Sequence, residues 1–175
     1  KIPFPFTEDH AIVCTQGALT EKGRTHSYRH MLYALDLSTP PSNTNGEIFA
    51  SRSGEAHVIK GCNNHDEKKS NNDSCGNGFG NSVRIFSNDG LVILYAHLRK
   101  VHIKNGQYVT AGARIGEEGK TGNAGHRHLH FSVHYDWRRD EEYYKNGFRL
   151  PNSIPFKLKI GNKKRKTRWK DIRNL

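Results

Sequence analysis

Two histidines separated by one residue stand in the segment His128-Leu129-His130-Phe131. Side chains alternate faces along a strand, so His128 and His130 point the same way, roughly 6.6 Å apart at about 3.3 Å per residue. Leu129 and Phe131 then point to the opposite face and can pack into a core. Paired imidazoles on a rigid strand suit a metal site, or one ligand beside one acid–base group. A carboxylate, Asp36, follows the apolar stretch Tyr33-Ala34-Leu35 and is expensive to bury unless paired or metal-bound. His26 and His30 lie just upstream. Two imidazoles and a carboxylate, without thiolates, are a donor set of hydrolytic zinc, which takes three protein ligands and keeps one position open for water. Zinc lowers the pKa of that water from about 15.7 to about 7 and polarises a scissile carbonyl. A further histidine nearby would hold the water or stabilise the oxyanion. His10, His57, His65, His102 and His134 lack any such arrangement and read as surface or hydrogen-bonded residues. No H-E-x-x-H helix is present, which removes a thermolysin-like architecture; no G-x-S-x-G elbow is present, which weakens a serine hydrolase reading, and there is no P-loop.

The elements that must position these residues are short strands. Ala11 to Cys14 reads as a first strand, and Met31 to Leu37 as a second that Pro40-Pro41 stops. Ile48 to Ala50 and Ala56 to Ile59 read as a strand pair turning at Ser53-Gly54. Ser82 to Phe86 and Leu91 to Ala96 flank Ser87-Asn88-Asp89-Gly90, a strong hairpin pattern. Gly106 and Gly112 punctuate further short strands, a glycine-rich turn runs from Gly119 to Gly125, and Leu129 to Tyr135 is another strand. Arg138 to Asn146 is the only helical turn expected, and Ile154 to Ile160 is a last strand. The expected class is mainly β with little helix, a single antiparallel sheet domain.

In that frame residues 81–133 carry the order NSVRIFSNDGLVILYAHL, then VTAGARIGEEGKTGNAGHRHLHFSV. This resembles the lysostaphin-like (LytM-type) zinc endopeptidases that degrade peptidoglycan: a D-G hairpin, Y-x-H-L, a glycine-punctuated segment, a small-residue turn and H-L-H-F. The resemblance covers about residues 11–160. It implies zinc ligation by His130 and Asp36, with His97 and His128 positioning and activating the water and stabilising the tetrahedral intermediate. The commonest spacing in the family, H-x-x-x-D, is broken because position 32 is Leu. Relatives with this kind of strand place the histidine in a longer preceding loop; Thr25-His26 fits that form, and His30 is the alternative. His126 stands where the family often has Ser, Thr or Gly and reads as a turn residue. The resemblance further implies a groove walled by the 38–47 segment, the Cys62–Cys75 segment and the turn near Asn123, and hydrolysis of stem peptides or cross-bridges. A catalytically idle relative that binds peptidoglycan or activates another wall hydrolase is the alternative.

Length and composition agree with one domain. The chain has 175 residues and a net charge of +11, enough for one proper core. Residues 157–175 hold nine basic side chains against Asp171, a net of +8, which leaves +3 for everything before them. The expected division is therefore an endopeptidase domain over 1–160 and a basic tail over 161–175. The tail is a candidate for anionic envelope polymers. Nucleic acid is not an expected partner, because the charge sits in the tail and no aromatic–basic interleaving marks a β-sheet platform. No stretch approaches the roughly 18 apolar residues of a membrane span, and no charged-then-apolar leader precedes Lys1-Ile2-Pro3-Phe4, so the expectation is a leader removed or never present. Cys62 and Cys75 bracket a polar loop; a disulfide there would restrain the loop and place the chain in an oxidising compartment, secreted, periplasmic or at the cell envelope. Cys14 would remain unpaired.

Overall fold

The computed structural model describes residues 1–6, 12–19, 25–40, 46–65, 73–138 and 151–159. Short strand-forming runs dominate it. β1 spans Ile2–Pro3, β2 Val13–Gln16, β3 Leu35–Ser38, β4 Glu47–Phe49 and β5 Gly54–Ile59. β6 spans Ser82–Ser87, β7 Leu91–Ala96, β8 Lys100–Val101, β9 Tyr108–Val109, β10 Arg114–Glu117, β11 Leu129–Tyr135 and β12 Leu158–Lys159. Among the described residues the only helical pieces are 3-10 turns at Thr25–Ser27 and Cys75–Gly78.

Seven strands form one antiparallel sheet in the order β2-β3-β11-β7-β6-β5-β9. A three-stranded sheet has the order β4-β10-β8, and β1 pairs with β12 in parallel. The fold is mainly β and antiparallel, as expected, with the pairing spread over more than one sheet. The β6–β7 hairpin forms with Phe86 opposite Val92, and its turn is closed by Gly90 N–H donating to the Ser87 carbonyl at 3.2 Å. Gly90 has φ +80°, which glycine adopts freely.

Register assigns a role to each face of the large sheet. Leu37, Ala56, Val83, Ile85, Ile93, Tyr95, Leu129, Phe131 and Val133 share one face and join a single core cluster with Ile48 and Ile115 of the small sheet. Burying one such Leu or Phe side chain stabilises by about 1.5–3 kcal/mol. Tyr95 is buried in this cluster, but its hydroxyl accepts from Ser51 N–H at 2.6 Å, so no polar atom is stranded. The opposite face carries Asp36, His130, Ser132, His134 and Arg84.

Three expectations change. Ile48 to Ala50 and Ala56 to Ile59 do not pair with each other: β4 pairs with β10, while β5 pairs with β6 and β9. The Ser53-Gly54 step passes the chain between sheets, and apolar alternation does not encode the partner. The stretch Met31 to Tyr33 is turn, with Ala34 N–H donating to the Met31 carbonyl at 2.8 Å, and the strand begins only at Leu35. Among the described residues of the last predicted strand, only Leu158–Lys159 is strand, along β1. The predicted helical turn beyond Arg138, His10, the basic tail 161–175 and the middle parts of the 38–47 and Cys62–Cys75 segments lie outside the described residues. The disulfide Cys62–Cys75 is present, with 13 residues of separation, and Cys14 is a free, half-buried thiol bonded through Sγ to the Gln16 carbonyl at 3.4 Å.

Candidate functional site

β3 and β11 lie side by side with Asp36 opposite His130. Their side chains emerge on the polar face, and His130 Nδ1 lies 3.0 Å from Asp36 Oδ1. The 3-10 turn Thr25–Ser27 brings His26 over the same carboxylate, with Nε2 at 3.2 Å from Asp36 Oδ1. Ligand atoms of His26, Asp36 and His130 all lie within 4.8 Å of one another, and all three residues are buried. Of the two upstream histidines, His26 is therefore the one brought to Asp36. His30 stands further out, stacked on Tyr28 at 6.0 Å and edge-on to Phe79 at 6.5 Å between ring centroids.

The tautomer of His26 is set locally. Its Nδ1–H donates to the Gly17 carbonyl at 2.9 Å, which leaves Nε2 as the lone-pair nitrogen facing Asp36. That Nε2 is buried and has no hydrogen-bond partner; the 3.2 Å approach to Asp36 is off hydrogen-bond geometry. His130 Nε2 is likewise buried without a partner, its ring packed 5.5 Å from Phe79. Burial alone would protonate Asp36, but the imidazoles of His130 and His26 overrule it and hold the carboxyl well below the usual range. Burial also opposes charge on His26, and Asp36 overcomes it, so His26 binds a proton more readily than a free imidazole. A proton or another cation is thus favoured at this point.

His128 and His97 flank the cluster. His128 precedes β11 at an isolated bridge to Gly119, and its Nε2 lies 3.6 Å from Asp36 Oδ1. Its Nδ1–H donates to the His126 carbonyl at 2.8 Å. His97 follows the last residue of β7 in a left-handed conformation, φ +63°, which costs a non-glycine residue about 1–2 kcal/mol. That backbone turn sets the His97 ring 4.7 Å from His128 and 5.9 Å from His130. Its Nδ1–H donates to the Thr121 carbonyl at 2.8 Å. Both rings therefore present Nε2 as an acceptor. Burial pushes His128 down to about 4, and burial with neighbouring His128 and His130 pushes His97 well below the ordinary imidazole value, so both are neutral at pH 7.

The five residues singled out in the sequence, His26, Asp36, His97, His128 and His130, thus meet on one face of the sheet. Of the histidines set aside, His102 lies 3.1 Å from Glu117, His65 lies 3.0 Å from Asp73, and His134 sits between Ser132 and the Pro151 carbonyl. His126 is an exposed turn residue whose ring packs 4.7 Å from His128. Missed from sequence were the carbonyls of Gly17, Thr121 and His126, which orient the three rings, and Phe79 beside His130. Backbone acceptors leave no residue-type signal.

The family model of peptidase family M23 matches residues 30–142, well over half of the chain. The chain belongs to peptidase family M23. The match contains Asp36, His97, His128 and His130 and begins after His26, so the placement of His26 rests on the structure. Lysostaphin of Staphylococcus simulans is 46% identical over 55 residues, 31% of this chain and 11% of that protein. The cell division protein DipM of Caulobacter vibrioides is 40% identical over 57 residues, 33% of this chain and 9% of that protein. The chain matches only about a tenth of the length of these curated relatives. Among solved structures, the catalytic domain of S. simulans lysostaphin has a TM-score of 0.54 at 24% identity, covering 84% of this chain and 89% of that one. A catalytic-domain variant of the prophage-encoded M23 protein EnpA from Enterococcus faecalis has a TM-score of 0.55 at 19% identity, covering 82% and 88%. At these identities the likeness establishes the M23 peptidase fold.

Proposed function

We propose that this chain is a secreted or envelope-facing zinc metalloendopeptidase that hydrolyses peptide bonds in peptidoglycan stem peptides or cross-bridges. The observation that carries the reading is the convergence of His26 and His130 on the Asp36 carboxylate, with His26 Nε2 buried and lacking a hydrogen-bond partner. Two imidazoles and one carboxylate fit zinc, and a free lone pair fixed by Nδ1–H bonding to Gly17 is what a ligand histidine requires. His26, Asp36 and His130 would hold the ion, which when bound polarises the scissile carbonyl and acidifies a water.

The chain's own acid–base work falls to His97 and His128. Each is a neutral imidazole whose Nδ1–H is committed to a backbone carbonyl and whose Nε2 can accept a proton. One takes the proton of the attacking water and returns it to the leaving amine. The other accepts a hydrogen bond from the same water through its Nε2 and holds it in line for attack. Asp36 stays ionised throughout because the flanking imidazoles hold it so. The substrate class is supported by the similarity to lysostaphin and DipM, and the oxidising location by the Cys62–Cys75 disulfide.

The test is release of muropeptides from purified sacculi by the zinc-loaded chain, read by mass spectrometry of the products. The expected result is new peptide termini, lost on chelation and restored by zinc. Metal retained with sacculi bound but no peptide released would replace the enzyme with an idle, peptidoglycan-binding relative.

A further inference from the structure

At the other end of the polar sheet face, β5, β6 and β7 place His57, Arg84 and Leu94 in one row, and Ser132 of β11 continues it. Strand spacing and rise put the Arg84 backbone roughly 12 Å from that of His130. This is therefore a separate place from the metal cluster. Arg84 is 5% exposed, its Nε is buried without a hydrogen-bond partner, and it has no ion pair among the described residues. A guanidinium stays charged in proteins, so a buried one without a counter-ion is costly.

Arg84 lines a cleft of about 170 Å³. Phe86 and Trp137 form apolar walls, their rings 5.3 Å apart. The other charges at the cleft are already matched. Arg138 Nη1 lies 3.0 Å from Glu55, its Nη2 lies 2.9 Å from Asp136, and its guanidinium covers the Phe86 ring at 4.1 Å. His57 is held toward its neutral form by burial and by Arg84 beside it. Among the described residues the cleft thus has apolar walls and one positive charge without a counter-ion.

We propose that this cleft binds a carboxylate monoanion carrying a small apolar group, with Arg84 gripping the carboxylate and Phe86 and Trp137 covering the apolar part. A planar guanidinium matches a carboxylate through two charge-assisted hydrogen bonds. The volume accommodates a carboxylate and a few carbons, such as the free end of a short peptide.

The experiment titrates the full chain in a Trp169→Phe background, where Trp137 is the remaining tryptophan. The probes are N-acetylalanine, its uncharged amide and inorganic phosphate, and the readout is tryptophan emission. N-acetylalanine should give a saturable change with a Kd on the order of millimolar, and the amide should bind at least about tenfold more weakly because it lacks the charge. Arg84→Met should abolish the response. If that variant fails to fold, the carboxylate–amide comparison in the arginine-bearing chain still decides. Equal responses to acid and amide, tighter binding of phosphate, or no response to any probe would overturn the proposal. A response that emerges only after neutralising Asp140, Glu141 and Glu142 would place the chain's own carboxylates in the cleft and overturn it as well.

Discussion

His130 and Asp36 are paired across β11 and β3, and their side chains meet at 3.0 Å on the polar face. Because the pairing fixes both backbones, the carboxylate is held ready rather than recruited from a loop. Asp36→Asn keeps the shape and removes the charge. Zinc per chain after dialysis should then fall by more than about tenfold, since the site loses its only anionic donor. His26→Ala should do the same and His30→Ala should not. Elemental analysis of the three variants decides; retention in His26→Ala with loss in His30→Ala would reverse the assignment of the upstream ligand.

His97 and His128 make no approach to Asp36 as close as those of His26 and His130, and each is oriented by a carbonyl instead. Removing either imidazole should leave zinc content unchanged. Turnover on muropeptides should fall about 10²- to 10⁴-fold, the usual contribution of a positioned acid–base group. Loss of metal in His128→Ala with retention in His130→Ala would invert the two roles.

Which parts of this site were legible in the sequence follows from what alternation can encode. The H-L-H-F pattern places His130 on one face and Leu129 and Phe131 in the core, and the D-G turn closes the β6–β7 hairpin where expected. Strand partners were not legible for β4 and β5, because an apolar run carries no address for the strand it joins. The upstream ligand stayed open between His26 and His30, since a loop has no period to fix which side chain returns to the sheet. The Gly17, Thr121 and His126 carbonyls were invisible because any residue supplies a carbonyl. Arg84 was read as one more strand residue; its burial without a counter-ion among the described residues distinguishes it.

His134 gives the fold a pH dependence apart from the metal cluster. It is fully buried, with Nδ1–H donating to the Pro151 carbonyl and Nε2 accepting from Ser132, and burial pushes it down to about 4. Its ordinary value is 6.5. Between those values the unfolded chain takes up a proton that the folded chain refuses, so stability is full above about 6.5 and declines as pH falls toward 4. The decline attributable to this group is about 3 kcal/mol at 1.36 kcal/mol per unit. Glutamine at 134 can donate to Pro151 and accept from Ser132 without titrating. In denaturant melts wild type should therefore lose about 3 kcal/mol more than His134→Gln as pH falls from 6.5 to 4; parallel losses would remove His134 as the cause.

The Cys62–Cys75 bridge should support the fold without supporting the metal. Cys62 is also tied by Asn81, whose Oδ1 accepts from Cys62 N–H at 2.9 Å and whose Nδ2 donates to the Cys62 carbonyl at 3.1 Å. The proposed ligands sit on β3, β11 and the 25–27 turn, none of which the bridge closes. Replacing both cysteines with serine should cost about 3 kcal/mol by loop closure, a fall in Tm on the order of 6–12 °C for a chain of this size. Zinc content should remain that of wild type. Loss of zinc at a temperature where the variant is folded would show that the bridge shapes the metal site.

Gly80 controls the position of His97 through Thr121. Gly80 has φ +64°, and a Cβ there would collide with both the hydroxyl and the carbonyl of Thr121. That carbonyl is the acceptor that holds His97 Nδ1 at 2.8 Å. Gly80→Ala must therefore shift Thr121, and the imidazole it orients shifts with it. A displacement of about 1 Å in a catalytic group costs on the order of 10²-fold in rate, so turnover should fall by that order while zinc content holds. Gly90→Ala is the control: φ is +80°, but nothing lies within 4 Å of the added Cβ. Its left-handed backbone costs about 1–2 kcal/mol of stability, and turnover of the folded enzyme should not change. If Gly80→Ala and Gly90→Ala lose stability alike and neither loses turnover, the Thr121 carbonyl does not govern His97.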